Sequence, residues 1–217
     1  MILCCGEALI DMLPRALAGG QQGFLPCPGG AVFNTAIALG RLGAPVGLFC
    51  GLSSDLFGGL LEEALSASHV ASDLAIRSAR PTTLAFVRLV DGQASYAFYD
   101  ENTAARLIRP DDLPKIPPDV RAMFFGGISL VSEPCGSAYE ALMTREADAR
   151  LTMIDPNIRA AFVTDEPAYR ARLKRMIALA DIVKLSDEDL RWLDGDGAPG
   201  DLGRARISKG AGLVFVT

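Results

Sequence analysis

Histidine is almost absent from this sequence: 217 residues include one, His69. A single imidazole excludes a metal site built from several histidines. It also argues against Ser-His-Asp or Cys-His catalysis, unless His69 is itself the base. Proton transfer in any reaction of this protein is therefore expected to use a carboxylate.

The sequence also lacks an excess of basic residues. Its 21 Lys and Arg are outnumbered by 26 Asp and Glu, which gives a net charge of -5. Nucleic acids and anionic membranes attract basic surfaces, so neither is an expected partner, and no apolar run is long enough for a membrane span. A small-molecule ligand is the better expectation.

Several short motifs are missing as well. The five cysteines form no Cys-x-x-Cys pair, and the first residues show no signal-peptide pattern, so we expect reduced thiols and a cytoplasmic location. No Gly-x-Gly-x-x-Gly follows the first apolar run, which argues against a Rossmann-type dehydrogenase. A Walker-type Gly-x-x-x-x-Gly-Lys-Ser/Thr motif is also lacking.

Short apolar runs alternate with amphipathic stretches along the chain. Strands are predicted at residues 2–5, 45–50, 122–125, 151–154, 182–185 and 213–216. Helices are predicted after Gly30, after an N-cap at Asp55, and over residues 137–150 and 167–180, with a loop over 195–201. This order predicts an α/β fold in one domain over residues 1–217, with a mostly parallel sheet and helices on both faces.

The stretch from Gly29 to Gly43 joins two glycines to a helix of small residues. Adjacent glycines let the backbone approach a ligand, and the first N–H groups of the helix would suit hydroxyls or an anion. Asn34 can both donate and accept hydrogen bonds, while Leu39 and Leu42 mark the predicted buried side. The alternative is a tight turn into a core helix.

Polar side chains follow two of the predicted strands. Asp11 stands where ligands collect in parallel α/β sheets, although it could instead cap a turn. In Asp155-Pro156-Asn157-Ile158-Arg159, Asn157 can bond two groups and Arg159 can clamp carboxylate or phosphate oxygens, unless both are ordinary loop residues. Lys184 is unusual because it lies inside an apolar strand.

A hairpin is predicted around Asp91-Gly92, a pair that favours a two-residue turn between β-prone segments. Its second arm alternates Tyr96 and Phe98 with Ala97 and Tyr99, so both faces carry apolar residues and need cover. Residues 12–28 are rich in Gly, Pro and Gln and are predicted to be an exposed excursion.

The run Ile2–Asp11, the stretch Gly29–Gly43 and the motif Asp155–Arg159 occur in this order. Together they resemble the ribokinase-like (PfkB) family of carbohydrate kinases, and within it the bacterial fructokinases, over the whole chain. The resemblance implies a ribokinase-like fold with a small β-sheet lid, formed by residues 12–28 and 82–100, that closes over the sugar and pairs with a second subunit in a homodimer. It also implies transfer of the ATP γ-phosphate to the terminal hydroxyl of fructose, with ATP and Mg²⁺ as cofactors.

The resemblance assigns roles at the positions that match the family's motifs. The implied sugar-binding residues are Asp11, Gly29, Gly30, Asn34, Phe98, Asn157 and Arg159. Arg159 is also the implied catalytic residue, at the transferring phosphoryl group. Lys184 and Ser186 are implied ATP contacts, and Asp189 is implied to hold Mg²⁺ through water. The family usually has Asn and Glu at the last two positions, and Ser186–Asp189 is equally well explained as a helix cap.

The family takes its base from a Gly-Ala-Gly-Asp-like element, which this sequence does not contain. The run 212–217 has the pattern of a buried strand, and a domain seldom stops at the last residue of a core strand. We therefore expect the chain to be incomplete at its C-terminus, with the general base beyond residue 217. Alternative kinase substrates are ribose, 2-keto-3-deoxygluconate or a nucleoside. For the sugar acid among them, Arg159 and Arg88 could accept the carboxylate. A non-catalytic sugar-binding protein is the alternative if the chain ends at Thr217.

Overall fold

The computed structural model describes residues 1–90, 93–207 and 212–217, with side chains described outside 88–95 and 206–211. The predicted turn at Asp91-Gly92 and the side chain of Arg88 therefore lie outside the described residues. The strands are β1 (Ile2–Cys5), β2 (Leu9–Ala16), β3 (Gln22–Gly29), β4 (Val46–Phe49), β5 (Gly51–Ser53), β6 (Val70–Ala71), β7 (Ile76–Ser78), β8 (Leu84–Val90), β9 (Gln93–Tyr99), β10 (Ala122–Gly126), β11 (Leu151–Asp155), β12 (Ile182–Leu185) and β13 (Leu213–Val216). The helices are α1 (Ala31–Arg41), α2 (Leu56–Ala67), α3 (Cys135–Glu146), α4 (Glu166–Leu179), α5 (Asp187–Asp194) and α6 (Pro199–Ile207).

The main sheet has seven parallel strands in the order β13-β12-β11-β10-β1-β4-β6. Its central strands are apolar on both faces because helices cover both. Leu3 and Cys5 of β1 belong to a core with α3 and α4, whereas Cys4 between them packs into a second core with α1 and α2. The predicted α/β fold with a parallel sheet is confirmed.

The carboxyl ends of the parallel strands meet at one edge of this sheet. There β1 leads to Glu7, β10 leads to Gly127, and β11 leads to the turn at Pro156. Loops after parallel strands form the ligand sites of α/β folds. This edge therefore carries the candidate site.

A separate four-stranded sheet, which we call the lid, has the order β3-β2-β8-β9. It combines the two segments that the sequence indicated, although β2 already begins at Leu9 and β3 extends to Gly29. Strands β2 and β3 are antiparallel, β2 and β8 are parallel, and β8 and β9 are antiparallel. β5 and β7 form a further parallel pair.

Three local predictions were wrong. Leu42 is 83% exposed, because α1 buries Val32, Phe33, Ala36 and Gly40 instead. The predicted loop over 195–201 gives way to α6, which begins at Pro199, since proline is tolerated at the first position of a helix. The predicted buried strand at residues 213–216 is the outermost strand of the described sheet, and Leu213 and Phe215 are almost half exposed.

The N-cap predicted at Asp55 is confirmed. Its Oδ1 accepts a hydrogen bond from the Gly58 N–H at 2.8 Å. The same carboxylate accepts bonds from the backbone and the hydroxyl of Thr82, just before β8. These bonds hold the pKa of Asp55 below its usual range. Asp55 thus joins α2 to the base of the lid.

Candidate sugar-binding site

A cavity of about 300 Å³ lies between the start of α1, the underside of the lid and the turn after β11. Its lining residues are Glu7, Leu9, Asp11, Gly30, Ala31, Asn34, Tyr96, Phe98, Ile128, Asn157 and Arg159. Six of the seven sugar-binding residues implied by the resemblance therefore meet in one cavity, and the seventh, Gly29, lies beside it. His69, by contrast, is an exposed residue after α2, outside this lining.

The lid supplies Asp11, Tyr96 and Phe98 from one of its faces. In the sheet register Asp11 pairs with Ala85, which in turn pairs with Phe98 on β9. Side chains alternate along strands, so Tyr96 lies on the same face as Phe98, and the two rings stack at 5.9 Å between centroids. Partial burial raises the pKa of the Asp11 carboxyl. This wall thus offers a hydrogen-bond acceptor beside an apolar surface.

Gly29 makes room for Asp11 and does not line the cavity. A Cβ atom placed on Gly29 would lie 2.2 Å from Asp11 Oδ2 and 3.1 Å from its Cγ. No larger residue fits at position 29 with Asp11 in its present position. Gly29 therefore shapes the site through Asp11.

The start of α1 differs from the sequence-based expectation of free N–H groups. Glu7 Oε1 accepts hydrogen bonds from the backbone of Ala31 at 2.8 Å and of Val32 at 3.4 Å. The Glu7 carbonyl accepts from Phe33 N–H at 3.3 Å. The protein's own carboxylate thus takes the place that the prediction reserved for a ligand at this helix end. Gly30, with φ 109°, and Asn34 still face the cavity.

The turn after β11 presents Asn157 and Arg159. Asn157 has a left-handed backbone, φ 46°, and its N–H donates to Asp155 Oδ1 at 3.2 Å. Asp155 Oδ2 is 3.0 Å from the ammonium of Lys184. Burial raises the pKa of Asp155, and Lys184 opposes that shift. Lys184, implied as an ATP contact, is thus paired with the carboxylate that supports the Asn157 turn.

Arg159 is an exposed cation at the mouth of the cavity. Its guanidinium donates to the carbonyls of Asn157 at 3.5 Å and Ile158 at 3.2 Å. It forms no ion pair with a carboxylate within residues 1–90, 93–207 and 212–217. Its charge is therefore available to an anionic ligand.

Ser186 and Asp189 form the cap of α5. The Ser186 hydroxyl accepts from Asp189 N–H at 3.0 Å, and Asp189 Oδ2 accepts from Ser186 N–H at 3.0 Å. Asp189 Oδ1 accepts from Ile158 N–H at 2.9 Å. Both oxygens of this buried carboxylate thus hold backbone groups, one of them beside Asn157 and Arg159.

A second cavity, of about 580 Å³, adjoins the first and shares Tyr96, Phe98 and Arg159 with it. Its remaining lining comes from Ile158, the segment 160–162, and Glu188, Asp189 and Trp192 of α5. The Phe98 and Phe162 rings lie 4.8 Å apart, so the lid touches the segment after Arg159. Lys184 and Ser186 line neither cavity.

Sequence reasoning missed five residues of the main cavity, which are Glu7, Leu9, Ala31, Tyr96 and Ile128. Tyr96 could have been identified, because it lies two residues before Phe98 in a predicted strand and therefore on the same face. Glu7 stands at a strand end like Asp11, but nothing local predicts that it folds onto α1. Ile128 carries no signal in the sequence, since it reaches the cavity from the turn after β10.

Comparison with known proteins is consistent with this geometry. The model of the pfkB family of carbohydrate kinases matches residues 1–217. A fructokinase of Rhizobium leguminosarum bv. trifolii is 54% identical over 217 residues, which is 100% of this chain and 67% of that protein. The crystal structure of a fructokinase from Xylella fastidiosa superposes with a TM-score of 0.87 at 32% identity, covering 100% of this chain and 69% of that one.

A fructokinase from Vibrio cholerae O395, solved in a fructose-, ADP- and calcium-bound form, superposes with a TM-score of 0.85 at 27% identity, over 100% of this chain and 70% of that one. The chain spans 62% of the length of a probable fructokinase from Arabidopsis thaliana and 67% of the Rhizobium protein. Among the described helices, none is long and apolar enough to cross a membrane.

Proposed function

The chain belongs to the pfkB family of carbohydrate kinases, and we propose that its cavity binds fructose for phosphorylation by ATP at the terminal hydroxyl. The observation that carries this proposal is the convergence of Asp11, Asn34 and Asn157 on one cavity beneath the lid aromatics. The fructokinases among its relatives support fructose as the sugar.

The chemistry of the cavity suits a polyol. The Asp11 carboxylate accepts hydrogen bonds, and the amides of Asn34 and Asn157 donate and accept them. Hydroxyl groups need both kinds of partner. Phe98 and Tyr96 offer apolar faces for the C–H side of the ring and would limit water at the reacting hydroxyl.

Arg159 is the residue of this chain that best suits the phosphoryl end. It faces both cavities, and its guanidinium fork matches phosphate oxygens. We propose that the second cavity admits the phosphate chain of ATP. Arg159 would then stabilise the charge that develops during in-line transfer. The acceptor of the hydroxyl proton stays a prediction from the resemblance.

Lys184 and Ser186 contribute less directly than the resemblance implied. Lys184 is held by Asp155, and the Ser186 side chain caps α5. We propose that Lys184 supports the Asn157 turn electrostatically. The Ser186 oxygen accepts a hydrogen bond from Asp189 N–H, and we propose that its O–H donates to a phosphate of ATP.

The described residues do not fit a directly bound magnesium ion. Both oxygens of Asp189 already accept backbone N–H groups. No group of three or more His, Cys, Asp or Glu side chains in the described part of the chain could hold a metal. Magnesium therefore stays a prediction from the resemblance, and no step proposed here passes through it.

The outer face of the lid supports the proposed homodimer. Phe86 packs edge-to-face against Phe24 at 5.0 Å and against Tyr99 at 5.3 Å. Phe24 is 49% exposed and Tyr99 is 63% exposed. We propose that a second copy covers this aromatic cluster. Sedimentation of wild type and Tyr99→Lys tests it: the variant should become monomeric at concentrations where the wild type is dimeric.

We also propose a cytoplasmic location. All five cysteines are free, and Cys4, Cys5, Cys50 and Cys135 are buried. Reduced thiols of this kind are typical of reducing compartments.

A second substrate is favoured by one observation. Arg159 is a cation without a carboxylate partner in the described residues, so a sugar acid such as 2-keto-3-deoxygluconate could place its carboxylate there. Ribose, a nucleoside and a role in sugar binding without catalysis have no specific contact in their favour.

Fructose binding by calorimetry, with ADP release under Mg-ATP measured in parallel, tests the proposal. The panel is fructose, ribose, 2-keto-3-deoxygluconate and a nucleoside. Tightest binding of fructose would support the proposed substrate, and turnover would support the reaction. Preference for the sugar acid, lost in Arg159→Gln, would replace fructose. Binding without turnover in the protein extended to the length of its relatives would favour a binding protein.

A further inference from the structure

We infer that Glu7 is a positioning residue that fixes two walls of the sugar cavity relative to each other. Its buried carboxylate joins the start of α1 to the 3-10 segment Ile128–Leu130 after β10. The inference rests on the proposed function, because its consequence is sugar affinity.

The contacts of Glu7 divide between the two walls. Oε1 accepts from Ala31 N–H at 2.8 Å and from Val32 N–H at 3.4 Å. Oε2 accepts from Ser129 N–H at 3.3 Å. The partners lie 24, 25 and 122 residues away in sequence. Glu7 is 3% exposed, so water competes little for these bonds.

Two glycines leave the space that this carboxylate occupies. A Cβ atom at Gly127 would lie 2.2 Å from Glu7 Oε1 and 2.3 Å from Oε2. A Cβ atom at Gly30 would lie 3.0 Å from the Glu7 carbonyl oxygen and 3.1 Å from its Cγ. Both glycines also have positive φ. The backbone on each side is therefore shaped around Glu7.

A carboxylate suits this position better than an amide. It presents only acceptors, and all three partners are N–H donors. The first turn of α1 also carries the positive end of the helix dipole, which favours a negative group. A glutamine at position 7 would turn its NH₂ group towards either Ala31 or Ser129, and one wall would lose its partner.

The consequence for the sugar passes through Asn34 and Ile128. Asn34 lies in the first turn of α1, where its N–H donates to Gly30 at 2.9 Å. Ile128 precedes Ser129 and faces the cavity from the other side. If one of the walls is released, the distance between these two side chains is no longer fixed.

The test compares Glu7→Gln with Asp165→Asn. Asp165 is a matched control, since its carboxylate also caps a helix, accepting from Ala168 N–H at 3.0 Å, but it is exposed and lines neither cavity. Fructose affinity by calorimetry should fall about tenfold in Glu7→Gln, in line with a lost charge-assisted hydrogen bond. It should not change in Asp165→Asn.

Amide hydrogen exchange supplies a readout without ligand. The N–H groups of Ala31 and Ser129 should exchange at matched rates in the wild type, and the one that faces the new NH₂ group should exchange faster in Glu7→Gln. Unchanged fructose affinity in Glu7→Gln, or unrelated exchange rates of Ala31 and Ser129 in the wild type, would overturn the inference. Absence of fructose binding by the wild type would refute the proposed substrate instead, while exchange still decides the role of Glu7. If Glu7→Gln does not fold, the wild-type exchange rates decide.

Discussion

Replacing Gly29 with alanine tests how tightly Asp11 is positioned. The new methyl carbon would lie 2.2 Å from Asp11 Oδ2, whereas an ordinary van der Waals contact begins at 3.4 Å. The carboxylate must therefore move by about 1.2 Å, or β2 and β3 must separate. Gly29 does not have a positive φ, so alanine brings no backbone strain of its own. The substitution acts almost entirely through Asp11.

A charge-assisted hydrogen bond lost by displacing the carboxylate costs about 1.5–3 kcal/mol, which is about ten- to a hundredfold in affinity. We expect Gly29→Ala to weaken fructose binding by about ten- to a hundredfold, measured by calorimetry. The melting temperature should change little, because alanine also lowers the entropy of the unfolded chain, which contributes about 0.4–1 kcal/mol of stability.

Gly59→Ala on α2 is the matched control, since a Cβ atom there meets nothing within 4 Å. It should leave fructose affinity unchanged. The double variant Gly29→Ala with Asp11→Ala separates the clash with the Asp11 carboxylate from any other effect of the alanine at position 29. Once the carboxylate is removed, Gly29→Ala should weaken binding much less than it does in the wild type. Wild-type affinity in Gly29→Ala, or an equal loss in both backgrounds, would refute the reasoning.

Four further predictions concern three charged residues, Asp11, Arg159 and Lys184. Burial raises the pKa of Asp11, so fructose affinity should fall as the pH drops through that pKa and the carboxylate gains a proton; Asp11→Asn should bind weakly without this pH step. Because the ionised form is the one that burial disfavours, Asp11→Asn should also unfold at a higher temperature than wild type at neutral pH. Arg159→Lys keeps the positive charge but loses the planar guanidinium fork. The rate of ADP release at saturating fructose should therefore fall by about tenfold or more, with little change in fructose affinity. An unchanged rate would show that Arg159 does not act at the phosphoryl end. Lys184→Gln leaves Asp155 without its ion-pair partner and should lower the free energy of unfolding, measured in urea, by about 1 kcal/mol. Lys184→Arg, which keeps the positive charge, is the control. Equal stability of the two variants would show that the ion pair contributes nothing.

Several features could be predicted from the sequence because they depend on local pattern. Apolar runs separated by helix-length stretches predict a parallel sheet, and the alternation of Tyr96 and Phe98 places both rings on one face of the lid. Asp55 before an apolar helical stripe predicts its capping bond. In each case the burial or hydrogen bonding of a residue follows from its near neighbours in the chain. Asp11, Asn34, Asn157 and Arg159 were candidates from their positions, the family resemblance assigned them sugar-binding roles, and the structure brings them to one cavity.

Other features depended on contacts between distant parts of the chain. Leu42 matches a helical stripe but lies past the end of α1, where nothing covers it. The helix at Pro199 is supported by packing on β13, where Gly203 lies against Val216. Lys184 meets Asp155 because β11 and β12 are neighbours in the sheet. Periodicity cannot predict which strands become neighbours.

The sequence alone thus predicted the class of fold and, through the family resemblance, the two segments of the lid and six of the eleven residues that line the cavity. The tertiary structure decided what occupies the start of α1. The sequence shows two glycines before a helix, which predicts free N–H groups. Only the folded chain brings Glu7 onto those groups and onto Ser129, because chain topology, not local pattern, sets which polar groups meet when they are buried together.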